Sequence, residues 1–288
     1  MHHVSKIDPA SAQTPGPYQK HSIGFRRATY VDRAVGSVHM GVGICFLEPN
    51  GVIEPHLHSF EESFYILEGT VLVRVGEKDY ALSPGHYGLI GTGVPHAWRN
   101  ISDRPVRWLE MQAPQPRPLD YGRDTFFVDG DVPRQATSPN RQDTLIGHFD
   151  ESQLPGPGGA SQMEGFNPTT GVAIKMFVDR SFGAIHQSLF LIQYMSGAKI
   201  DTHDHTFEES YFIVSGRVRA TADGKTYDLG PGDVIWTSVG CLHSFDNVGT
   251  EPVRWIETQA PLPPAKEVFR FEREWAPLAE KEKTASQG

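Results

Sequence analysis

The sequence predicts an all-β protein made of two similar units in tandem, each a sandwich or barrel of short strands. Three observations carry this reading. Short runs of strand-forming residues are separated by turn signals about every eight to twelve residues. Glycine and proline are frequent, 29 and 22 in 288 residues, and no stretch keeps a long helical period. Most informative, the stretch from Gly51 to Asn100 returns at a fixed offset of 147 residues.

Under that offset His56-Leu57-His58, Glu62, Gly69, Gly85, His96 and Asn100 become His203-Asp204-His205, Glu209, Gly216, Gly232, His243 and Asn247, without insertion. Val31-Asp32-Arg33 with Gly36 and His39 recurs as Val178-Asp179-Arg180 with Gly183 and His186. Pro105-Val106-Arg107-Trp108 recurs as Pro252-Val253-Arg254-Trp255, and Gln112-Ala113-Pro114 as Gln259-Ala260-Pro261. Such agreement marks an internal duplication. It divides the chain into an extended arm (1–24), a first barrel (25–114), a connector (115–171), a second barrel (172–264) and a tail (265–288). Each half is long enough to bury its own core.

The arm is polar and contains Pro9, Pro15 and Pro17, so an extended segment packed on a neighbouring domain or subunit is expected. Strand signals begin at Arg26. Ser37 to Leu47 reads as a long strand broken by Pro49-Asn50-Gly51. Ser63 to Leu67 follows, and then Thr70 to Val75, with Val71, Val73 and Val75 on one face. Asp79 to Leu82, Tyr87 to Ile90, Ala97 to Ile101 and Val106 to Gln112 complete the unit. The connector is rich in proline and glycine, including Leu154-Pro155-Gly156-Pro157-Gly158-Gly159. Its apolar pieces, Thr125 to Val128 and Thr144 to Ile146, are expected to tie it to one barrel. In the second unit Ala184 to Tyr194 is the long strand, and Asp223-Gly224 signals a tight hairpin. The tail is charged around Phe269, Phe271 and Trp275 and suits a short helix before Pro277.

The net charge of −9 argues against nucleic acid as the main partner. No apolar run approaches the roughly 20 residues that span a bilayer, and the first residues lack a signal core. The chain reads as soluble and cytoplasmic. Cys45 and Cys241 occupy non-equivalent places in the repeat and form no disulfide framework. Sheet edges are buried against one another within a chain or between copies, so a monomer and a homo-oligomer both remain open.

The repeated residues point to metal chemistry. Residues i and i+2 of a strand face the same side, so His56 and His58 present two imidazoles to one point. Glu62 adds a carboxylate, and His96 arrives from a later strand. His203, His205, Glu209 and His243 repeat the set. Three imidazoles and a carboxylate suit Fe(II), Mn(II), Ni(II), Co(II) or Zn(II) far better than calcium or magnesium. Four protein ligands on an octahedral ion leave two positions for water, substrate or dioxygen, the arrangement of a catalytic site.

Here the chain resembles the cupins, and specifically the bicupins. The first cupin motif stands as Gly51, His56-Leu57-His58, Glu62 and Gly69. The second stands as Gly85, Gly91-Thr92-Gly93, His96 and Asn100, and again as Gly232, Ser238-Val239-Gly240, His243 and Asn247. Gly91 and Ser238 replace the usual proline of the second motif, and Ala198 replaces the leading glycine of the second copy. All three departures fall at turns. The resemblance covers about two thirds of the chain and leaves out arm, connector and tail. It implies two tandem jelly-roll-type β-barrels, each with up to one metal inside, Fe(II) first among the candidates. It also implies a small-molecule substrate. The expected activity is an Fe(II) dioxygenase for a small aromatic or dicarbonyl compound. Alternatives are a Mn-, Ni- or Zn-dependent lyase, decarboxylase or isomerase of a small carboxylate or keto acid, and a non-catalytic small-molecule-binding cupin.

Other residues are candidates for the pockets. His39 and His186 read first as structural histidines tied to the Asp-Arg pairs before them, with a place beside the metal as the alternative. Trp98 and Phe245 read as barrel core beside the second-motif histidine. Cys241 lines the second pocket or is a small buried hydrophobe. Arg74 and Arg99 would favour an anionic substrate in the first site if they face inward. Arg107 with Glu110, and Arg254 with Glu257, read as ion pairs.

Overall fold

The computed structural model describes residues 1–6, 8–118, 122–139, 143–154, 171–263 and 269–271. The run Pro155 to Gly159 and the helix expected before Pro277 lie outside these residues. The strands are β1 (His2–Lys6), β2 (Ser22–Val31), β3 (Gly41–His58), β4 (Glu61–Glu68), β5 (Val71–Val75), β6 (Lys78–Leu82) and β7 (His86–Ile90). Then come β8 (His96–Asn100), β9 (Val106–Ala113), β10 (Thr125–Phe127), β11 (Ile146–His148), β12 (Val172–Val178), β13 (Ser188–Tyr194) and β14 (Lys199–Asp204). The last are β15 (Glu208–Ser215), β16 (Val218–Ala222), β17 (Lys225–Leu229), β18 (Asp233–Thr237), β19 (His243–Asp246), β20 (Val253–Ala260) and β21 (Arg270–Phe271).

The first half forms one curled sheet in the order β11-β7-β4-β9-β3-β8-β5-β6, with β2 and β10 also on β3. The second half forms two sheets, β1-β18-β15-β20-β13-β12 and β17-β16-β19-β14-β21. The difference lies at one bend. Pro49-Asn50-Gly51 does not break the first long strand as the sequence suggested. Asn50 takes a left-handed φ of 59° and β3 runs through. Its first part pairs with β2 and β9, and its second part with β8 and β10. At the matching place in the second half the chain leaves the ladder, with Gly197 at φ 75°, and the strand divides into β13 and β14. Ser37 to Met40 and Ala184 to Gln187 precede these strands instead of belonging to them.

Elsewhere pattern and structure agree. Val71, Val73 and Val75 are buried, as period-2 alternation requires. Asp223 and Gly224 both take positive φ and close the β16–β17 hairpin. Gly69 and Gly216 are needed at their turns: φ is positive at both, and a Cβ on Gly216 would lie 2.5 Å from the Pro252 carbonyl. The arm does pack on another unit, since β1 adds antiparallel to β18 of the second barrel. The connector pieces join the first barrel, β10 on β3 and β11 on β7.

One apolar core fills each barrel and a third lies between them. In the third, Met40, Val42 and Met111 meet Leu189, Leu191 and Ile256, and Phe177 stacks on Tyr87 at 4.2 Å. Two buried carboxylates fasten this interface reciprocally. Glu208 accepts from the backbone N–H of Val38 (2.8 Å) and His39 (3.2 Å) and from Ser37 Oγ (2.6 Å). Its counterpart Glu61 accepts from the N–H of Ile185 (2.8 Å) and His186 (2.9 Å). The repeat of His39 and His186 thus marks the turns that join the barrels. Charge-assisted bonds to buried N–H groups are strong, and orphaning such donors is costly. Glu208→Ala is expected to lower unfolding stability by about 2–4 kcal/mol. An unchanged midpoint in chemical denaturation would show the clamp to be dispensable.

Candidate metal centres

Each candidate centre is assembled from three strands. In the first barrel the end of β3 carries His56 and His58, the start of β4 carries Glu62, and the start of β8 carries His96. In the second, β14 carries His203, β15 carries Glu209 and β19 carries His243, with His205 just past the end of β14. All eight side chains are buried. The ligand atoms of His56, His58 and His96 lie within 4.8 Å of one another, and those of His203, His205 and His243 do the same. His58 Nε2 is 3.1 Å and His96 Nε2 3.7 Å from Glu62 Oε2. His205 Nε2 and His243 Nε2 are each 3.2 Å from Glu209 Oε2.

The other ring nitrogens are held from behind. His56 Nδ1 is 2.8 Å from the Glu54 carbonyl and His96 Nδ1 3.0 Å from that of Val94. His203 and His243 repeat this on the carbonyls of Asp201 (2.7 Å) and Cys241 (2.9 Å). His58 Nδ1 meets Thr125 Oγ1 of β10 at 3.2 Å. With Nδ1–H donating outwards, each Nε2 turns its lone pair into the cluster. Phe60 and Phe207 stack flat on His58 and His205. His96 Nε2 is buried with no hydrogen-bond partner, so the donor set fits a cation at its centre.

Burial pushes His56, His58 and His203 below the usual histidine range, and neighbouring imidazoles push the same way. Burial alone would raise Glu62 and Glu209, but the neighbouring histidines, His58 and His96 beside Glu62 and His205 and His243 beside Glu209, outweigh it and hold both below the usual carboxylate range.

A protein-family model, described as a cupin domain, matches residues 43–111 and 190–258. The chain is a bicupin. Among curated proteins it is similar to polyketide synthase CurC of Streptomyces cyaneus, 32% identical over 69 residues, 24% of this chain and 45% of that protein. It is also similar to an uncharacterized protein, MJ1618, of Methanocaldococcus jannaschii, 31% identical over 74 residues, 25% of this chain and 59% of that protein. The matches thus span about half the length of these relatives. Among solved structures, salicylate 1,2-dioxygenase from Pseudaminobacter salicylatoxidans superposes with a TM-score of 0.70 at 17% identity, covering 90% of this chain and 84% of that one. Oxalate decarboxylase from Lactobacillus farciminis gives 0.64 at 16%, covering 94% and 89%. A putative glyoxylate-induced protein from Pseudomonas aeruginosa gives 0.66 at 15%, covering 90% and 87%. At these identities the likeness is one of fold.

The two centres of the bicupin are not copies. Tyr211 donates its hydroxyl to Glu209 and lies 2.9 Å from His243 Nε2. Phe64 stands at its place in the first barrel, where Tyr18 of the arm brings a hydroxyl 3.5 Å from His58 Nε2. Behind the first centre Glu110 is paired with Arg27. In the second, Ile174 replaces that arginine, and Glu257 is hydrogen-bonded by Trp255 Nε1 at 3.0 Å, with no cationic partner among the described residues. Burial, then the charge of Glu209, pushes Glu257 well above the carboxylate range. Glu257 and Glu209 line one small cavity, of about 20 Å³, with His203, His205, Tyr211 and Phe245. Tyr18 and Tyr211 escaped the sequence reading, and Glu257 was read there only as an ion-pair partner, although comparing Phe64 with Tyr211 and Arg27 with Ile174 would have exposed the asymmetry.

Some of the expectations hold and others change. Arg74 forms a two-bonded pair with Asp79 (2.6 and 2.8 Å) and reaches the Asp131 carbonyl, so it does not enter the first centre. Arg99 lies on the face of β8 opposite His96 and Trp98, by strand alternation. Trp98 is barrel core, stacked on Trp108 at 4.7 Å. Phe245 is core that also borders the cavity. Cys241 is a small buried residue of the second barrel's core and does not line the cavity. Arg107 pairs with Glu68 and Arg254 with Glu151, neither with the glutamate expected.

The depressed histidines set a pH dependence for the metal-free chain. Unfolding returns them to about 6.5, so below that pH the unfolded state binds more protons and stability falls as pH falls. The slope is at most about 1.4 kcal/mol per pH unit for each histidine. The melting temperature of metal-free protein is therefore expected to drop steadily between about pH 6.5 and 5. A flat profile would contradict the neutral, buried cluster.

Proposed function

We propose that this bicupin is a metal-dependent enzyme. Its ligands are His56, His58, Glu62 and His96 in one centre and His203, His205, Glu209 and His243 in the other. We read it as an Fe(II) dioxygenase acting on a small aromatic or dicarbonyl compound. The observation that carries this is the convergence of three buried imidazoles and one carboxylate, twice, once in each barrel. The second cluster opens on a largely apolar cavity. Bound there, an iron centre would supply a Lewis acid that holds an enolate or phenolate oxygen beside dioxygen.

The protein's own residues do the rest. The backbone carbonyls behind His56, His96, His203 and His243 fix the imidazoles. Gln259 Nε2 donates to Glu209 Oε1 at 2.8 Å and sets that carboxylate. Phe245 and Ile192 give the small cavity beside the second cluster an apolar wall. The fold shared with salicylate 1,2-dioxygenase supports the reading. The second centre is the better candidate for turnover, because the Arg27–Glu110 pair has no cationic counterpart in its cavity.

One observation favours a second reading, a Mn-, Ni- or Zn-dependent lyase, decarboxylase or isomerase. Glu257 keeps its proton inside the cavity and can deliver it to a carbanion or enolate. The shared fold of oxalate decarboxylase fits this reading equally well.

Elemental analysis of protein loaded with each metal, followed by oxygen uptake with salicylate-type acids and 1,3-diketones, separates the two. About two irons per chain and substrate-dependent oxygen uptake are expected. Turnover without oxygen, with release of carbon dioxide, would favour the lyase. His203→Ala is expected to remove one metal per chain and lower kcat by about 100-fold or more. The same loss from His56→Ala instead would move turnover to the first barrel. Failure to bind any transition metal would remove the basis of both readings.

A further inference from the structure

A third group of metal-ligating side chains lies at the edge of the second barrel, apart from both centres. His2, Asp223 and Cys241 each offer one donor atom, all within 4.8 Å of one another. They come from three places in the chain. His2 is on β1, Asp223 is the first residue of the β16–β17 hairpin turn, and Cys241 precedes β19. His2 Nδ1 is 3.1 Å from Asp223 Oδ2, and its Nε2 is 2.8 Å from the Tyr227 hydroxyl. That bond turns Nδ1 inward, as an outer partner does for a ligating imidazole. The Cys241 side chain is buried, its donor atom within the same cluster as the Asp223 carboxylate. The Met1 amino group, 2.9 Å from Asp223 Oδ2, balances the carboxylate. It gives no reason for a sulfur atom at that point.

The internal repeat sharpens the point. The first barrel has Gly76 where the second has Asp223, and Val94 where it has Cys241. Its edge strand at the matching place is β11, from the connector, whereas the second barrel takes β1. Three departures from the repeat therefore meet at one spot.

We propose that His2, Asp223 and Cys241 form a third metal site, of mixed imidazole, carboxylate and thiolate character, that takes a borderline-soft divalent ion of the zinc class and clips β1 to the second barrel. On binding, the Cys241 thiol proton leaves to solvent as the metal–sulfur bond forms. The clip also touches the second centre, because the Cys241 carbonyl is the group that holds His243 Nδ1.

The test is a Co(II) titration of the full metal-free chain, followed by absorption. The two barrel centres offer only nitrogen and oxygen donors, so a sulfur-to-cobalt charge-transfer band in the near ultraviolet reports the third site alone. One equivalent of Co(II) beyond those taken by the barrel centres is expected to bring up this band. His2→Ala and Cys241→Ser should each abolish it and lower the stoichiometry by one. Cys45→Ser, His56→Ala and His203→Ala should leave it in place. Absence of the band in the unaltered chain would overturn the proposal, as would its survival in Cys241→Ser or its loss in Cys45→Ser. The band is independent of the enzymatic reading: it persists if the barrel centres prove inactive, and its absence leaves them untouched.

Discussion

Glu62 and Glu209 are carboxylates taken almost wholly out of water, and much of each barrel is arranged to make that tolerable. An isolated buried carboxylate would take up a proton. Here histidines from two other segments of the sheet face it and hold it below the usual carboxylate range. Those imidazoles are fixed in turn by backbone carbonyls two residues before them, Glu54, Val94, Asp201 and Cys241. The ladder that pairs β3 with β8, and β14 with β19, is thus also what sets the geometry of the cluster. Strand pairing and ligand placement are one constraint.

Duplication preserved that constraint and released others. Asn100 and Asn247 both use Nδ2 to hold carbonyls across the following turn, Leu47, Glu48 and Arg104 in one half and Tyr194 and Glu251 in the other. The interbarrel carboxylates Glu61 and Glu208 are likewise kept. What diverged borders the second cavity: Tyr211 and Ile174 stand where the first half has Phe64 and Arg27. A scaffold held in duplicate leaves each pocket free to change.

The eight cluster residues were legible in sequence because their signal is local and repeated: an i, i+2 pair, a carboxylate four residues on, and a fixed spacing to the last histidine. The short strands were legible by alternation. Orientation across the sheet was less so. Arg74 looked like a pocket residue until its neighbour Asp79, opposite it across the β5–β6 hairpin, claimed the guanidinium. Pro49-Asn50-Gly51 looked like a stop because turn residues usually end strands, yet one left-handed asparagine carries β3 through the bend. Tyr18 was invisible because it comes from an arm outside the repeat, and only the tertiary fold brings its hydroxyl to His58.

The place of β1 has a consequence for how the molecule is made. The strand that completes the edge of the second barrel is synthesised before any of that barrel exists, and its partner β18 emerges more than two hundred residues later. During translation the first barrel assembles from contiguous chain while β1 waits unpaired. Its docking is a late event that joins the two ends of the polypeptide's history and carries the entropy of a very long loop.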